Sequence, residues 1–239
     1  MKIQHLELET AAGPEMKHFY TQKLGLPLVE IRKDALFTVR AGNTCLSFYQ
    51  EGYFEARPAE GTPTYHFAFN IPQNQLFEAQ AWLKQLLIPL CPFQQREVVN
   101  FPNWNAHALY FQDPAGNVLE LIARHDLDNA QSDAFGPQSL LSISEVGFPV
   151  PNLADFYAAL QPRMPLPFYS HISNLETFCA LGDAEGLLIV VPLQRAWFPT
   201  SLRNGIFPLR LTLEGKGSSF QPQTALPYIV AFGEVHSAK

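Results

Sequence analysis

Charge is scarce in this chain. Only 16% of its 239 residues are charged, and its 16 Lys and Arg are outnumbered by 22 Asp and Glu and nowhere clustered. A protein that grips a phosphate backbone needs a basic patch, so the composition argues against a nucleic-acid partner. Long apolar runs are lacking as well. The longest, such as Leu187 to Val191, are strand-sized, well short of the roughly 18 residues that span a bilayer, and no membrane partner is expected. The opening MKIQHLELET alternates like a strand and has no apolar core of a secretory leader. Cysteine is sparse. Cys45, Cys91 and Cys179 are odd in number and widely spaced, form no CxxC, and fit small buried hydrophobes in a reducing cytoplasm better than a disulfide framework.

What is abundant is apolar residues, 47% of the chain, distributed with a clear period. From Ile3 to Glu9, Leu6 and Leu8 alternate with His5, Glu7 and Glu9, the pattern of a strand with one covered face. Pro14 suits a first helical turn, and Met16, Phe19, Tyr20 and Leu24 recur on one face. Gly25 offers a left-handed cap and Pro27 prevents continuation. Extended stretches follow at Leu28 to Arg32, Ala35 to Arg40 and Thr44 to Gln50, giving a β-α-β-β-β unit.

After a polar linker around Arg57 to Pro63 the order repeats. Thr64 to Asn70 alternates, Pro72 opens a second helix, and strands are expected near Gln94 to Val99, Ala106 to Gln112 and Val118 to Ala123. Asp113-Pro114-Ala115-Gly116 makes the turn between the last two. A linker from Asp126 to Ser139 leads into a third, degenerate copy: a strand at Leu141 to Val150, a short helix carrying Phe156 and Tyr157, and strands at Thr177 to Leu181 and Leu187 to Val191. Pro208 to Leu213 and Tyr228 to Gly233 add two more. The fold class read from this is α+β, with residues 1–125 as a paired metal-binding domain and 140–239 as a degenerate βαβββ-like domain. Pairing of the third unit with its twin would give a homodimer.

The faces of the strands carry the chemistry. If Leu6 and Leu8 lie under the helix, His5 points to the uncovered side. His66 does so between Tyr65 and Phe67, and Glu120 between Leu119 and Leu121. Two imidazoles and a carboxylate suit a divalent first-row metal with open positions for substrate. Read without further context, a strand His is more often structural and a strand Glu more often solvated.

The segments IQHLEL, EMKHFYTQKLGLPL, TYHFAFNIP and ALYFQDPAGNVLELI resemble the vicinal oxygen chelate superfamily of glyoxalases, bleomycin-resistance proteins and ring-cleaving dioxygenases. The resemblance covers about Lys2 to Arg124. It implies an eight-stranded cup made by the first two units, with His5, His66 and Glu120 as metal ligands. Ser47 stands where glyoxalase-type isomerases carry a fourth, carboxylate ligand, so the set that remains is that of extradiol dioxygenases. A small substrate chelated through two oxygens is then implied, with ferrous iron favoured and Mn, Zn, Ni or Co as alternatives. The other readings are a glyoxalase-like isomerase or lyase, and a metal-free protein that merely binds a small molecule. Tyr110, before the Asp-Pro turn, matches an active-site tyrosine of those dioxygenases or is a core aromatic. His107 is the candidate acid-base histidine. The third unit offers Glu145 at the place of His5 but no matching set, and Gln194 to Gly205 reads as a packed surface connection rather than a cap on a pocket.

Overall fold

A computed structural model describes residues 1–31, 33–54, 61–170 and 173–233. Most of the expected linker from Arg57 to Pro63 falls outside them. Twelve strands form among the described residues: β1 (Ile3–Thr10), β2 (Phe37–Ala41), β3 (Thr44–Gln50), β4 (His66–Ile71), β5 (Val98–Phe101), β6 (Ala106–Gln112), β7 (Val118–Arg124), β8 (Ser142–Val150), β9 (Cys179–Asp183), β10 (Gly186–Pro192), β11 (Leu209–Leu213) and β12 (Tyr228–Phe232). The helices are α1 (Gly13–His18), continued by a π turn at Phe19–Lys23, α2 (Leu76–Gln85) and α3 (Leu153–Leu160). No described helix is long and apolar enough to cross a membrane.

The α+β class holds, the βαβββ succession is complete in the second unit, and local details elsewhere shift for physical reasons. Leu28 makes an isolated bridge to Val39 rather than a strand, since Pro27 beside it lacks a donor for a ladder. The second helix begins at Leu76 rather than at Pro72. Asn152 caps α3 by accepting from the Asp155 backbone N–H at 3.0 Å.

The units pair differently from the expected order. One sheet runs β12-β11-β1-β3-β2 and the other β5-β6-β7-β4-β8-β10-β9. The first unit therefore does not close a cup with the second. Its strand β1 lies between β3 and β11, while β4 pairs antiparallel with β8 through Phe67↔Val146 and Ala68↔Glu145. The expected division at residue 125 does not follow the sheets, because the second and third units share one.

Alternation within the seven-stranded sheet separates two apolar clusters. Phe67, Phe69, Leu119, Leu121, Leu188 and Val190 face the helices. Ala68, Ala108, Tyr110, Ile122, Ile189 and Trp197 form a second cluster on the other face. This inner face is where polar residues of β4, β7 and β8 project.

Candidate metal centre and its cavity

His66 precedes Phe67 on β4, Glu120 lies between Leu119 and Leu121 on β7, and Glu145 precedes Val146 on β8. Each therefore points away from the helices, as the alternation predicts for the first two. Register brings them together: Ala68 pairs with both Glu120 and Glu145, one on either side. One ligand atom from each of His66, Glu120 and Glu145 lies within 4.8 Å of the others, and all three residues are buried. His66 Nε2 stands 3.7 Å from Glu120 Oε2.

His5 is not part of this group. It faces away from its helix as expected, but in the five-stranded sheet, where its Nε2 is 2.7 Å from Ser47 Oγ and its Nδ1 is 4.0 Å from Glu7 Oε2. Ser47 in turn bonds Thr38 Oγ1 at 2.6 Å. The expected trio of His5, His66 and Glu120 is thus replaced by one in which Glu145 takes the first-strand position. The signal was present in the sequence, since Glu145 occupies in the third unit the place of His5 in the first. The equivalence becomes a convergence because the second and third units, rather than the first two, share a sheet.

The donor set fits a divalent cation. His66 Nδ1 lies 2.9 Å from the Val118 carbonyl oxygen, which can only accept, so Nδ1 carries the proton and Nε2 presents a lone pair toward the carboxylates. Burial holds the His66 imidazole down to about 4, so it is neutral at pH 7. Glu120 Oε1 is buried without a hydrogen-bond partner. Burial and the mutual repulsion of the two carboxylates push Glu120 well up, and burial raises Glu145 against the opposing pull of Arg124. A lone pair, a carboxyl oxygen without a hydrogen-bond partner and two buried carboxyls whose ionisation is disfavoured form an arrangement that a cation would relieve.

Arg124 braces the third member. It follows Glu120 by four residues on β7 and so lies on the same face. Fully buried, it forms an ion pair through Nη2 with Glu145 Oε1. Its guanidinium lies over the rings of Trp104, at 5.4 Å, and Tyr169, at 5.3 Å, and Nη1 is 3.3 Å from the Tyr169 hydroxyl.

Above His66, Glu120 and Glu145 opens a cavity of about 280 Å³. Its walls are largely aromatic, from Phe101, Trp104, Tyr110, Phe178, Trp197 and Phe198. Tyr110 pairs with Glu120 across β6 and β7, and its ring is 6.5 Å from that of His66. Burial, then the charges of Glu120 and Glu145, raises its phenol well above the ordinary range. Trp197 packs 5.2 Å from the His66 ring. Gly147 makes room for that indole, because a Cβ there would come within 2.4 Å of it. The segment expected to be a plain surface connection therefore caps the cavity, with Arg195, Ala196, Trp197 and Phe198 all lining it.

His107 is elsewhere. Ala106, Ala108 and Tyr110 face the cavity side, so His107 shares the opposite face with Leu109. There its Nδ1 meets His125 Nε2 at 2.8 Å. An acid-base role for His107 at the three ligands is not supported by this placement.

No protein-family model and no curated protein sequence matches the chain. Solved structures do. A candidate dioxygenase from Bacillus subtilis aligns over 97% of this chain and 85% of its own, with a TM-score of 0.63 and 13% identity. A glyoxalase I variant from Zea mays aligns over 89% of this chain and 75% of its own, with a TM-score of 0.53 and 14% identity. At such identities the likeness is one of fold.

Proposed function

We infer that this chain, which has the fold shared by glyoxalases and dioxygenases of the vicinal oxygen chelate superfamily, is a metal-dependent enzyme acting on a small aromatic substrate that binds through two neighbouring oxygens, with ring-cleaving dioxygenation as the first reading. The observation that carries this is the convergence of His66, Glu120 and Glu145 at the floor of an aromatic cavity.

The three residues would hold a divalent metal, ferrous iron being favoured and Mn, Zn, Ni or Co being alternatives. When bound, such a metal supplies a Lewis acid at which adjacent oxygens chelate. The protein does the rest. His66 is fixed in its tautomer by Val118 and in its tilt by Trp197. Arg124 engages Oε1 of Glu145 and so holds that carboxylate beside Glu120 and His66. The aromatic walls hold a flat ring and exclude water, which strengthens charge interactions at the floor. Tyr110, opposite Glu120 and lining the cavity, would act through its hydroxyl, which could donate to an oxygen of the substrate once that oxygen competes for it.

A second reading is favoured by one specific feature. Glu145 gives the site a second carboxylate, and a carboxylate beside a chelated carbonyl can shuttle a proton, as isomerase or lyase chemistry requires. Two assays separate the readings. Protein loaded anaerobically with ferrous iron and then given catechol and oxygen should form the yellow ring-opened product. Failure there, with turnover of a methylglyoxal–thiol hemithioacetal, would shift the assignment to the isomerase. Loss of metal on Glu120→Gln or Glu145→Gln is expected under both, and metal content unaltered by both substitutions would remove the ligand set itself.

A further inference from the structure

The cap of the cavity, residues 192–205, has an unusual charge pattern for this protein. The chain carries a net charge of -6, yet the cap holds Arg195 and Arg203 with no Asp or Glu. The two arginines sit on the two limbs of one small turn, joined by an isolated bridge between Ala196 and Arg203. Arg203 donates from Nη1 to the Gln194 carbonyl at 2.7 Å and so braces the turn. Among the described residues, neither arginine has a carboxylate within ion-pair distance.

Arg195 lines the cavity. Its guanidinium lies 5.5 Å over the ring of Phe178, itself a wall residue, and Nη1 donates to the Thr177 carbonyl at 2.6 Å. Those two contacts aim the side chain without neutralising it. A guanidinium has five donors in a planar fork, and the Thr177 carbonyl engages one nitrogen. A cation held against an aromatic wall, without a counter-charge, is matched by a carboxylate in two-point contact. The floor of the cavity carries the oxygen-chelating residues, all buried, whereas Arg195 is exposed and belongs to the rim. The cavity therefore offers a metal-binding end, a flat aromatic middle and a cationic edge. Its volume of about 280 Å³ is nearly twice the roughly 150 Å³ that accommodates benzene in an engineered core, which leaves space for one ring with a short substituent.

We propose that the natural substrate is a single aromatic ring bearing, besides its two adjacent oxygens, an anionic substituent such as a carboxylate, and that Arg195 at the rim of the cavity is the residue that selects it. Arg203 adds to the field that draws the anion in. The proposal rests on the reading of His66, Glu120 and Glu145 as the chelating floor.

The test compares two probes that differ by one carboxylate, catechol and 3,4-dihydroxybenzoate, by calorimetric titration of the zinc-loaded full chain. Zinc permits binding without turnover. Wild-type protein should bind the carboxylated ring at least tenfold more tightly, and the preference should weaken as salt is raised. In Arg195→Gln the ratio of the two affinities should fall toward one, and Arg195→Lys should recover part of it. Thermal unfolding of each variant establishes that it is folded. If wild-type protein binds catechol without preferring the carboxylated ring, or if the preference survives in Arg195→Gln, the proposal is overturned while the chelating site stands. If neither probe binds the zinc-loaded protein, the chelating site itself fails.

Discussion

Ile189 stands in the third unit where Glu120 stands in the second. Ala68, two residues after His66, pairs with Glu120, and Gly147, two residues after Glu145, pairs with Ile189. The pseudo-equivalent positions of the two units thus supply His66, Glu120, Glu145 and one aliphatic side chain, which lines the cavity. A metal held by three residues keeps positions free for a substrate. Placing an imidazole there should close one of them. Ile189→His is expected to bind cobalt at least tenfold more tightly than wild-type protein while weakening catechol binding to the loaded site. Calorimetry measures both, and a catechol affinity that rises with the cobalt affinity would contradict the placement.

The ion pair between Arg124 and Glu145 gives a prediction about stability. Removing one partner of a buried pair leaves an uncompensated charge and costs about 3–5 kcal/mol. Arg124→Met should therefore unfold at lower urea than wild-type protein. The double variant Arg124→Met with Glu145→Gln should be less destabilised than Arg124→Met alone. Zinc should restore more stability to Arg124→Met than to the wild type, because it neutralises the same carboxylate. Denaturant titrations with and without zinc check all three.

Most of this architecture is legible in the alternation of the sequence. The faces of His5, His66 and Glu120 are as the neighbouring leucines, tyrosine and phenylalanines dictate, since a strand has a period of two. Which unit lies beside which is not encoded in that period. The edges of β1 and β4 read alike, and their choice of β11 and β8 is decided by long-range packing. Glu145, at the place of His5 in the third unit, therefore gains its partners only through the pairing of β8 with β4. The cap was illegible for another reason: a loop with Pro, Trp and Arg gives no periodic signal, and its role comes from Gly147 admitting the Trp197 ring. His107 was misplaced by one residue's parity, because a neighbour of cavity-lining Ala106 and Ala108 must face the other way.

That glycine can be tested directly. Gly147→Ala would force the Trp197 indole away from His66, an overpacking change worth about 1–3 kcal/mol. The cost should shrink when Trp197 is first reduced to Ala, so a double-mutant cycle should return a coupling energy of the same order. Tryptophan emission should shift red in Gly147→Ala as the cap loosens. Additive effects would mean that the two side chains do not meet.

The turn between β6 and β7 predicts a pH dependence. Asp113 accepts from the Tyr20 hydroxyl and Asn117 Nδ2, each at 2.8 Å, and from the backbone N–H groups of Ala115 and Asn117. Burial nevertheless raises its carboxyl from the ordinary 3.8 to about 6. The folded chain then holds this proton more tightly than the unfolded chain does. Between about pH 4 and pH 6 the unfolded state releases it first, so this group's contribution to stability is full below about pH 4 and falls as pH rises toward 6. Asp113→Asn should flatten that part of the profile. Urea midpoints at pH 4, 5, 6 and 7 for both proteins provide the measurement, and identical slopes would exclude the assignment.

Strand β11 pairs with β1, and β12 with β11, although nearly the whole chain separates β1 from both. The sheet that holds His66, Glu120 and Glu145 draws on one continuous stretch, from β4 to β10. Contacts close in sequence cost less loop entropy and form sooner. The seven-stranded sheet can thus assemble during synthesis while the edge of β1 stays open until β11 arrives to take its place.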